Sequence, residues 1–208
     1  KMQKGIKTVL EKTGKFSGRL RKQKTKYIAG EKTKEVLYRE NNCVFRFNID
    51  TTYFSPRLSN ERKEIAGKIK KGENVLVMFA GVAPFSVVIA KNSRANKVYS
   101  NEINREANKY AELNIDLNGL KGKVILIPGD VKRIAEKIRS FRSRLSGSET
   151  AFGQVSSLKE NFNAKNSGGA EFEANNKLRA QRGKYFDVPK YFDVIVMPRP
   201  QLKETFLR

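Results

Sequence analysis

The sequence contains no histidine, no tryptophan and a single cysteine, Cys43, among its 208 residues. The absence of histidine removes the commonest general base near neutral pH and the commonest zinc ligand. It also rules out any Ser–His or Cys–His nucleophile pair. Proton transfer must then fall to carboxylates, lysine, tyrosine or the substrate itself, and no metal site is expected. One cysteine cannot close an internal disulfide, which accords with a reducing, cytoplasmic compartment. Long apolar runs are missing too. Mean hydropathy is −0.60, and nothing approaches the ~20 apolar residues of a membrane-spanning helix. The opening Lys1-Met2-Gln3-Lys4 is not followed by a hydrophobic signal region, so neither secretion nor a membrane partner is expected.

Acidic residues are scarce: 21 Asp and Glu stand against 43 Lys and Arg, a formal charge of +22 and a pI near 10.1. Such an excess repels itself unless a polyanion neutralises it, which makes nucleic acid the first partner to consider. The 38% hydrophobic content suffices for one sizeable core and a small appended unit.

Residues 1 to 50 carry dense positive charge interrupted by β-prone runs at Lys26–Ala29, Glu35–Tyr38 and Cys43–Phe47, with turns at Gly30 and Asn41-Asn42. They read as a small basic, β-rich subdomain. From residue 51 the period changes. Ser59 to Ile69 is helical, with Ser59 or Asn60 as its cap and Gly72 as its stop. Val75–Phe79 is a continuous apolar run, the pattern of a strand buried on both faces of a parallel sheet. Helix then alternates with strand: Phe85–Ala90 helical, Lys97–Asn101 strand, Arg105–Asn114 helix ended by Asn118-Gly119, Lys123–Ile127 strand, Val131–Phe141 helix, Phe192–Met197 strand. That alternation predicts a doubly wound, Rossmann-like α/β sheet over 51–208 with right-handed crossovers. The Ser-, Asn-, Gly- and Lys-rich stretch 143–184 is too long for an ordinary connection and reads as a flexible insertion. After residue 197 a doubly wound sheet calls for further strands. The expectation is therefore a monomeric chain truncated at that sheet edge, or one paired with a chain that completes the sheet.

Three strand ends carry chemistry. In the first strand–helix turn, Phe79-Ala80-Gly81-Val82-Ala83-Pro84-Phe85, small residues let the backbone approach a ligand, and the next helix N-terminus offers N–H groups. Glu102, with Ile103 behind it, follows the second strand ~20 residues later, where an acid can accept both hydroxyls of a ribose. Asp130 and Val131 follow the third, where a carboxylate can accept from an adenine amino group. Together they point to an adenosine-containing cofactor; the competing reading makes Glu102 and Asp130 helix caps.

The block Tyr53-Phe54-Ser55-Pro56-Arg57-Leu58-Ser59-Asn60-Glu61-Arg62, followed by Met78-Phe79-Ala80-Gly81-Val82-Ala83-Pro84-Phe85-Ser86, resembles the archaeal and eukaryotic tRNA (guanine-37-N1)-methyltransferases. Asn101–Asn104 and Gly129–Val131 fall in matching order, and the resemblance covers about 5–140 and 191–208. It implies S-adenosyl-L-methionine as cofactor and methylation of N1 of guanosine 37 in the tRNA anticodon loop. Glu61 would be the base that takes the N1 proton, helped by partial burial. Arg57 and Arg62 would offset charge on the ring or pair with phosphate, Tyr53 would pack against base or cofactor, and Arg21 would reach the guanine. Without the resemblance, Arg57 and Glu61 would read as an ordinary surface pair.

The chain departs from the family pattern at three places. Val77 stands where many members have Asp, Ala83 where many have Gly, and Pro198-Arg199-Pro200 where many have Asn-Leu-Pro. Proline offers neither the amide nor a backbone donor, so Arg199 or backbone carbonyls would hold the base. The rival readings are a wyosine-pathway transferase on the same fold and a basic RNA-binding module with a degenerate cofactor site.

Overall fold

The computed structural model describes residues 6–134, 136, 188–189 and 192–198. The flexible insertion expected at 143–184, Arg199, and most of the helix expected over 131–141 lie outside those residues; residues 131–134 are helical.

Two antiparallel hairpins come first. β1 (Thr8–Lys12) pairs with β2 (Thr25–Gly30), and β3 (Glu35–Glu40) with β4 (Cys43–Asn48). β1 was not foreseen, since Thr8–Lys12 mixes polar and apolar residues too evenly to stand out of a basic stretch. The β3–β4 connection is the two residues Asn41 and Asn42, both with positive φ (47° and 59°). That pair suits a tight hairpin whose twist matches the strands. The inward face of β4, Cys43, Phe45 and Phe47, belongs to the same core as the parallel sheet. Burial pushes the Cys43 thiol up to about 11, so it stays protonated and packs as a small apolar group.

The parallel sheet has the order β7–β6–β5–β8: β5 is Asn74–Met78, β6 Lys97–Glu102, β7 Val124–Pro128 and β8 Val194–Val196. Successive strands step outward from β5 to β7, and the chain then returns to pair β8 on the other side of β5. This is the Rossmann-like α/β arrangement. Its switch in direction beside β5 opens a crevice at the carboxyl ends of the strands. The helices are α1 (Ser59–Lys68), α2 (Pro84–Asn92) and α3 (Arg105–Leu117). Among the described residues no helix is long and apolar enough to cross a membrane.

Several expectations are corrected. The element enclosed on all sides is α2, where every side chain from Pro84 to Ala90 is buried. In β5 only Val75 and Val77 are fully buried, while Leu76 and Met78 remain half-exposed. An apolar run alone does not separate these cases, whereas a helix apolar all round must be interior. α1 is not capped by Ser59 or Asn60. A 3-10 turn, Pro56–Leu58, leads into it, and Ser59 inside the helix instead accepts from Asn41 through its carbonyl oxygen (2.9 Å). Gly72 does not stop α1, because buried Ile69 already turns extended at its C-terminus.

α3 does more than cover the sheet. Asn118 accepts from the N–H of Val44 (2.9 Å) and donates to its carbonyl (2.8 Å). Asn114, fully buried, accepts from the N–H of Arg46 (2.7 Å) and donates to the carbonyl of Val82 (3.0 Å). Two side-chain amides one helical turn apart thus satisfy the free edge of β4, where another strand would otherwise have to pair.

Candidate active site

The turn after β5 is built on three left-handed residues, Phe79 (φ 56°), Gly81 (φ 58°) and Ala83 (φ 64°). Only glycine adopts that conformation without a steric cost, so the side chains at 79 and 83 are held there by their surroundings. The N–H of Ala80 donates to the carbonyl of Asn101 on β6 (2.9 Å), and that of Ala83 to the carbonyl of Ala80 (3.0 Å). At Gly81 a Cβ would lie 3.2 Å from the Tyr53 carbonyl oxygen. The turn therefore presses against the Tyr53 strand of chain. Ala80, Val82, Pro84 and Phe85 are buried, leaving only backbone groups for a ligand, and the Val82 carbonyl is already taken by Asn114. Phe79 is the exception, with 53% of its surface exposed.

Glu102 ends β6 and is gripped from both sides. One carboxylate oxygen accepts from the N–H of Gly81 (2.7 Å), the other from the N–H of Asn104 (2.8 Å). It is not the cap of α3. That role belongs to Asn104, whose side chain accepts from the Glu106 N–H (3.0 Å). Each Glu102 oxygen keeps further lone pairs, so the carboxylate is fixed in place and still able to accept from a diol. Ile103 is half-buried beside it. Asp130, after β7, pairs with Arg19, from the turn between β1 and β2; Val131 follows it, half-buried. A close-approach glycine, a fixed acid after β6 and a second acid after β7 are the features an adenosine moiety needs, and the residues present fit one.

Beside that crevice stands the Tyr53–Arg62 block. The Arg21 guanidinium lies over the Tyr53 ring, 4.2 Å from its centre. Phe16 meets the same ring edge-on at 5.0 Å. Arg21 itself has positive φ (49°), which aims it back across the turn. Arg57 and Glu61 are exposed, Glu61 on the first turn of α1. The partial burial expected of Glu61 is not observed.

Arg62 departs furthest from its expected position. It is 1% exposed, and its guanidinium forms a two-pronged bond to buried Glu40 on β3 (2.5 and 2.7 Å). It also donates to the Ser55 carbonyl (3.0 Å) and lies near the rings of Phe54 and Phe85. All its reach is used inward, so it anchors the start of α1 and leaves no group for a base or a phosphate. Val77, where an acid is common in the resembled family, is fully buried between β6 and β8. Pro198 follows β8 at the same sheet edge, half-buried.

Four residues of this neighbourhood carried no clear signal in the sequence. Arg19, Glu40 and Phe16 act across long separations. Asn104 stood in the sequence only as the end of the Asn101–Asn104 match, yet besides capping α3 it donates to the carbonyl of Thr51 (2.9 Å) and more loosely to that of Leu20 (3.5 Å).

Residues 36–145 match the family described as the TRM5/TYW2 methyltransferase domain. The tRNA (guanine(37)-N(1))/4-demethylwyosine(37)-methyltransferase Taw22 of Nanoarchaeum equitans is 43% identical over 126 residues, 61% of this chain and 42% of that protein. Among solved structures, the complex of aTrm5 and tRNALeu matches with a TM-score of 0.55 and 35% identity, over 58% of this chain and 35% of that one. Methanocaldococcus jannaschii Trm5 in complex with adenosine matches with a TM-score of 0.54 and 35% identity, over 61% and 37%. The chain thus spans less than half the length of these relatives.

Proposed function

The chain belongs to the TRM5/TYW2 methyltransferase family, and from that premise we propose that it is an S-adenosylmethionine-dependent tRNA (guanine-37-N1)-methyltransferase. The observation that carries the reading is the contact between two sites the sequence kept apart. The Tyr53 ring lies beneath Arg21 while the Tyr53 carbonyl closes on Gly81 of the cofactor turn. A base packed on Tyr53 is therefore next to whatever the turn holds.

Backbone N–H groups of the turn, the Glu102 carboxylate and Asp130 would hold the cofactor's amino-acid, ribose and adenine parts respectively. When bound, S-adenosylmethionine supplies an electrophilic methyl group on sulfur. Guanine N1 carries a proton, and Glu61 is the carboxylate assigned to take it as N1 attacks. Its exposure on α1 means that desolvation must come from the docked anticodon loop. Arg21 and Arg57 offset negative charge on O6. Arg62 is a positioning residue, holding the α1 turn that carries Glu61. Arg199 remains assigned to the target base in place of the family asparagine. Residues 1–50, with their surplus of lysine and arginine, would act as an RNA-binding subdomain supplying phosphate contacts, and the Rossmann-like part from 51 onward would do the chemistry in the cytoplasm.

The dual name of the Nanoarchaeum relative favours one second reading, methylation of 4-demethylwyosine at the same position. The test is single-turnover methyl transfer to tRNA bearing G37 or A37, with mass analysis of the product nucleoside. Transfer to G37 alone, giving N1-methylguanosine, is expected. Glu61→Gln should slow it by roughly 10²–10⁴-fold, and an unchanged rate removes Glu61 as the base.

A further inference from the structure

The stretch from Lys12 to Lys24, which joins β1 to β2, carries six lysines and arginines and no acid. It also keeps apolar side chains at the surface: Phe16 is 36% exposed and Leu20 37%. Ser17 and Lys22 pair across the base of this turn, and the Arg21 N–H donates to the Gly18 carbonyl (3.0 Å). An aromatic ring left in solvent among cations is the composition of a site that stacks an unpaired nucleobase.

Phe16 is placed by Tyr53, the residue assigned to the target base. The two ring centres are 5.0 Å apart and the ring planes 77° apart. Lys12 lies over Phe16, 5.1 Å from its centre, as Arg21 lies over Tyr53. Despite both contacts Phe16 keeps its exposure, an apolar cost that pinning the turn to Tyr53 does not require. Consecutive bases rise about 3.4 Å in a stacked strand and stand further apart once unstacked, so rings at this separation can serve neighbours. Bases parallel to the two rings would lie 77° from each other and could not remain stacked together. An enzyme that acts on N1 of a loop base must separate that base from its neighbour, and a second ring offsets part of the lost stacking.

We propose that Phe16 is a second base-stacking platform, which takes the nucleotide next to the target base in the anticodon loop. Its preference among bases is weak, because every base has a π-face. The surrounding lysines and arginines hold the phosphates on either side. The proposal rests on the methyltransferase reading above and adds to it a binding site for a base other than the one modified.

The test is a binding cycle between ring and base. Anticodon stem-loop RNAs carrying G37, either intact or abasic on the 5′ or on the 3′ side of G37, are titrated at fixed salt. The proteins are the full chain, Phe16→Ala, Phe16→Leu and Phe16→Tyr, with thermal melts to check that each is folded. Losing one stacking contact should weaken binding of the intact RNA to Phe16→Ala by roughly 5- to 150-fold. One of the two abasic RNAs should lose the same factor with the unmodified chain and nothing further with Phe16→Ala. Phe16→Leu, which keeps apolar volume without a π-face, should behave like Phe16→Ala, and Phe16→Tyr like the unmodified chain. The platform is overturned if Phe16→Ala weakens the intact and both abasic RNAs equally, or weakens none. It is equally overturned if Phe16→Leu binds as well as the unmodified chain, since the ring then serves only to support Tyr53. Methyl transfer to the same RNAs separates the two failures. Transfer without coupling between ring and base removes the platform alone, coupling without transfer removes the methyltransferase reading, and a folded chain that binds none of the RNAs removes both.

Discussion

The two hairpins that open the chain differ in charge, β1–β2 with its connecting turn being strongly basic and β3–β4 balancing two glutamates against two arginines, and they are held in different ways. β3–β4 sends Cys43, Phe45 and Phe47 into the common core. Phe54 stacks on Phe47 at 4.5 Å, and the free edge of β4 is closed by Asn114 and Asn118. β1–β2 buries no residue fully; of its neighbours only Gln23 in the connecting turn is enclosed. Apart from Phe16 and Arg21 on the Tyr53 ring, what holds it is polar: Arg19 on Asp130, the Gln23 N–H on the Asp50 carbonyl, and Thr25 and Lys34 on the Asp50 carboxylate. Apolar burial makes one hairpin part of the scaffold. Charge-based contacts fasten the other more weakly, in keeping with the RNA contact proposed for that segment.

The sharpest break of that contrast is at the scaffold side. Removing one member of the Glu40–Arg62 pair leaves a buried, uncompensated charge, so Arg62→Ala or Glu40→Ala should destabilise the fold by about 3–5 kcal/mol in denaturant titrations. Replacing both by apolar residues of similar volume should restore most of that stability. Methyl transfer by the double variant would then report how far α1 depends on the pair to place Glu61. A loss below 1 kcal/mol for the single variants would mean that the pair is not enclosed as described. Next in size is Asn114→Ala. It strips partners from the N–H of Arg46 and the carbonyl of Val82 at once, and unsatisfied buried groups cost about 1–3 kcal/mol. Because Val82 lies in the cofactor turn, S-adenosylhomocysteine affinity should fall as well. Stability lost with affinity untouched would show the turn to be held without α3.

The sequence disclosed the sheet and the three strand ends because those depend on local pattern: an apolar run, a small-residue turn after the first strand, and an acid after each of the next two. The same local view could not tell which hairpin is buried. Phe45 and Phe47 alternate with polar residues in a way that fits any half-buried strand, and what makes them core is a phenylalanine and two asparagines supplied from later in the chain. Arg62 shows the limit most plainly. Set in a charged helix start, it reads like its exposed neighbour Lys63, and its burial is decided by Glu40 on another element. Arg19 was one basic residue in a crowded run until the fold brought Asp130 to it.

The smallest expected effect probes how the peripheral hairpin is fastened. Burial alone would raise the Asp50 carboxyl, but hydrogen bonds from Lys34 and Thr25, with the lysine charge, outweigh it and lower the value below that of a free aspartate. A lowered folded value means that protonation favours the unfolded chain. The contribution of Asp50 is therefore complete above about pH 4–5 and disappears as pH falls through the folded value. Lys34 is 42% exposed, so solvent screens the pair and its worth is at most about 1 kcal/mol. Asp50→Asn should accordingly cost no more than that in global stability, and the variant should lose less stability than the parent on acidification below pH ~4. The local consequence should exceed the global one. Backbone amides of Thr25–Gly30 should exchange faster in the variant while those of Cys43–Asn48 keep their protection. Equal loss of protection in both strands would mean that the two hairpins open together, and that the difference in their burial does not translate into a difference in their freedom.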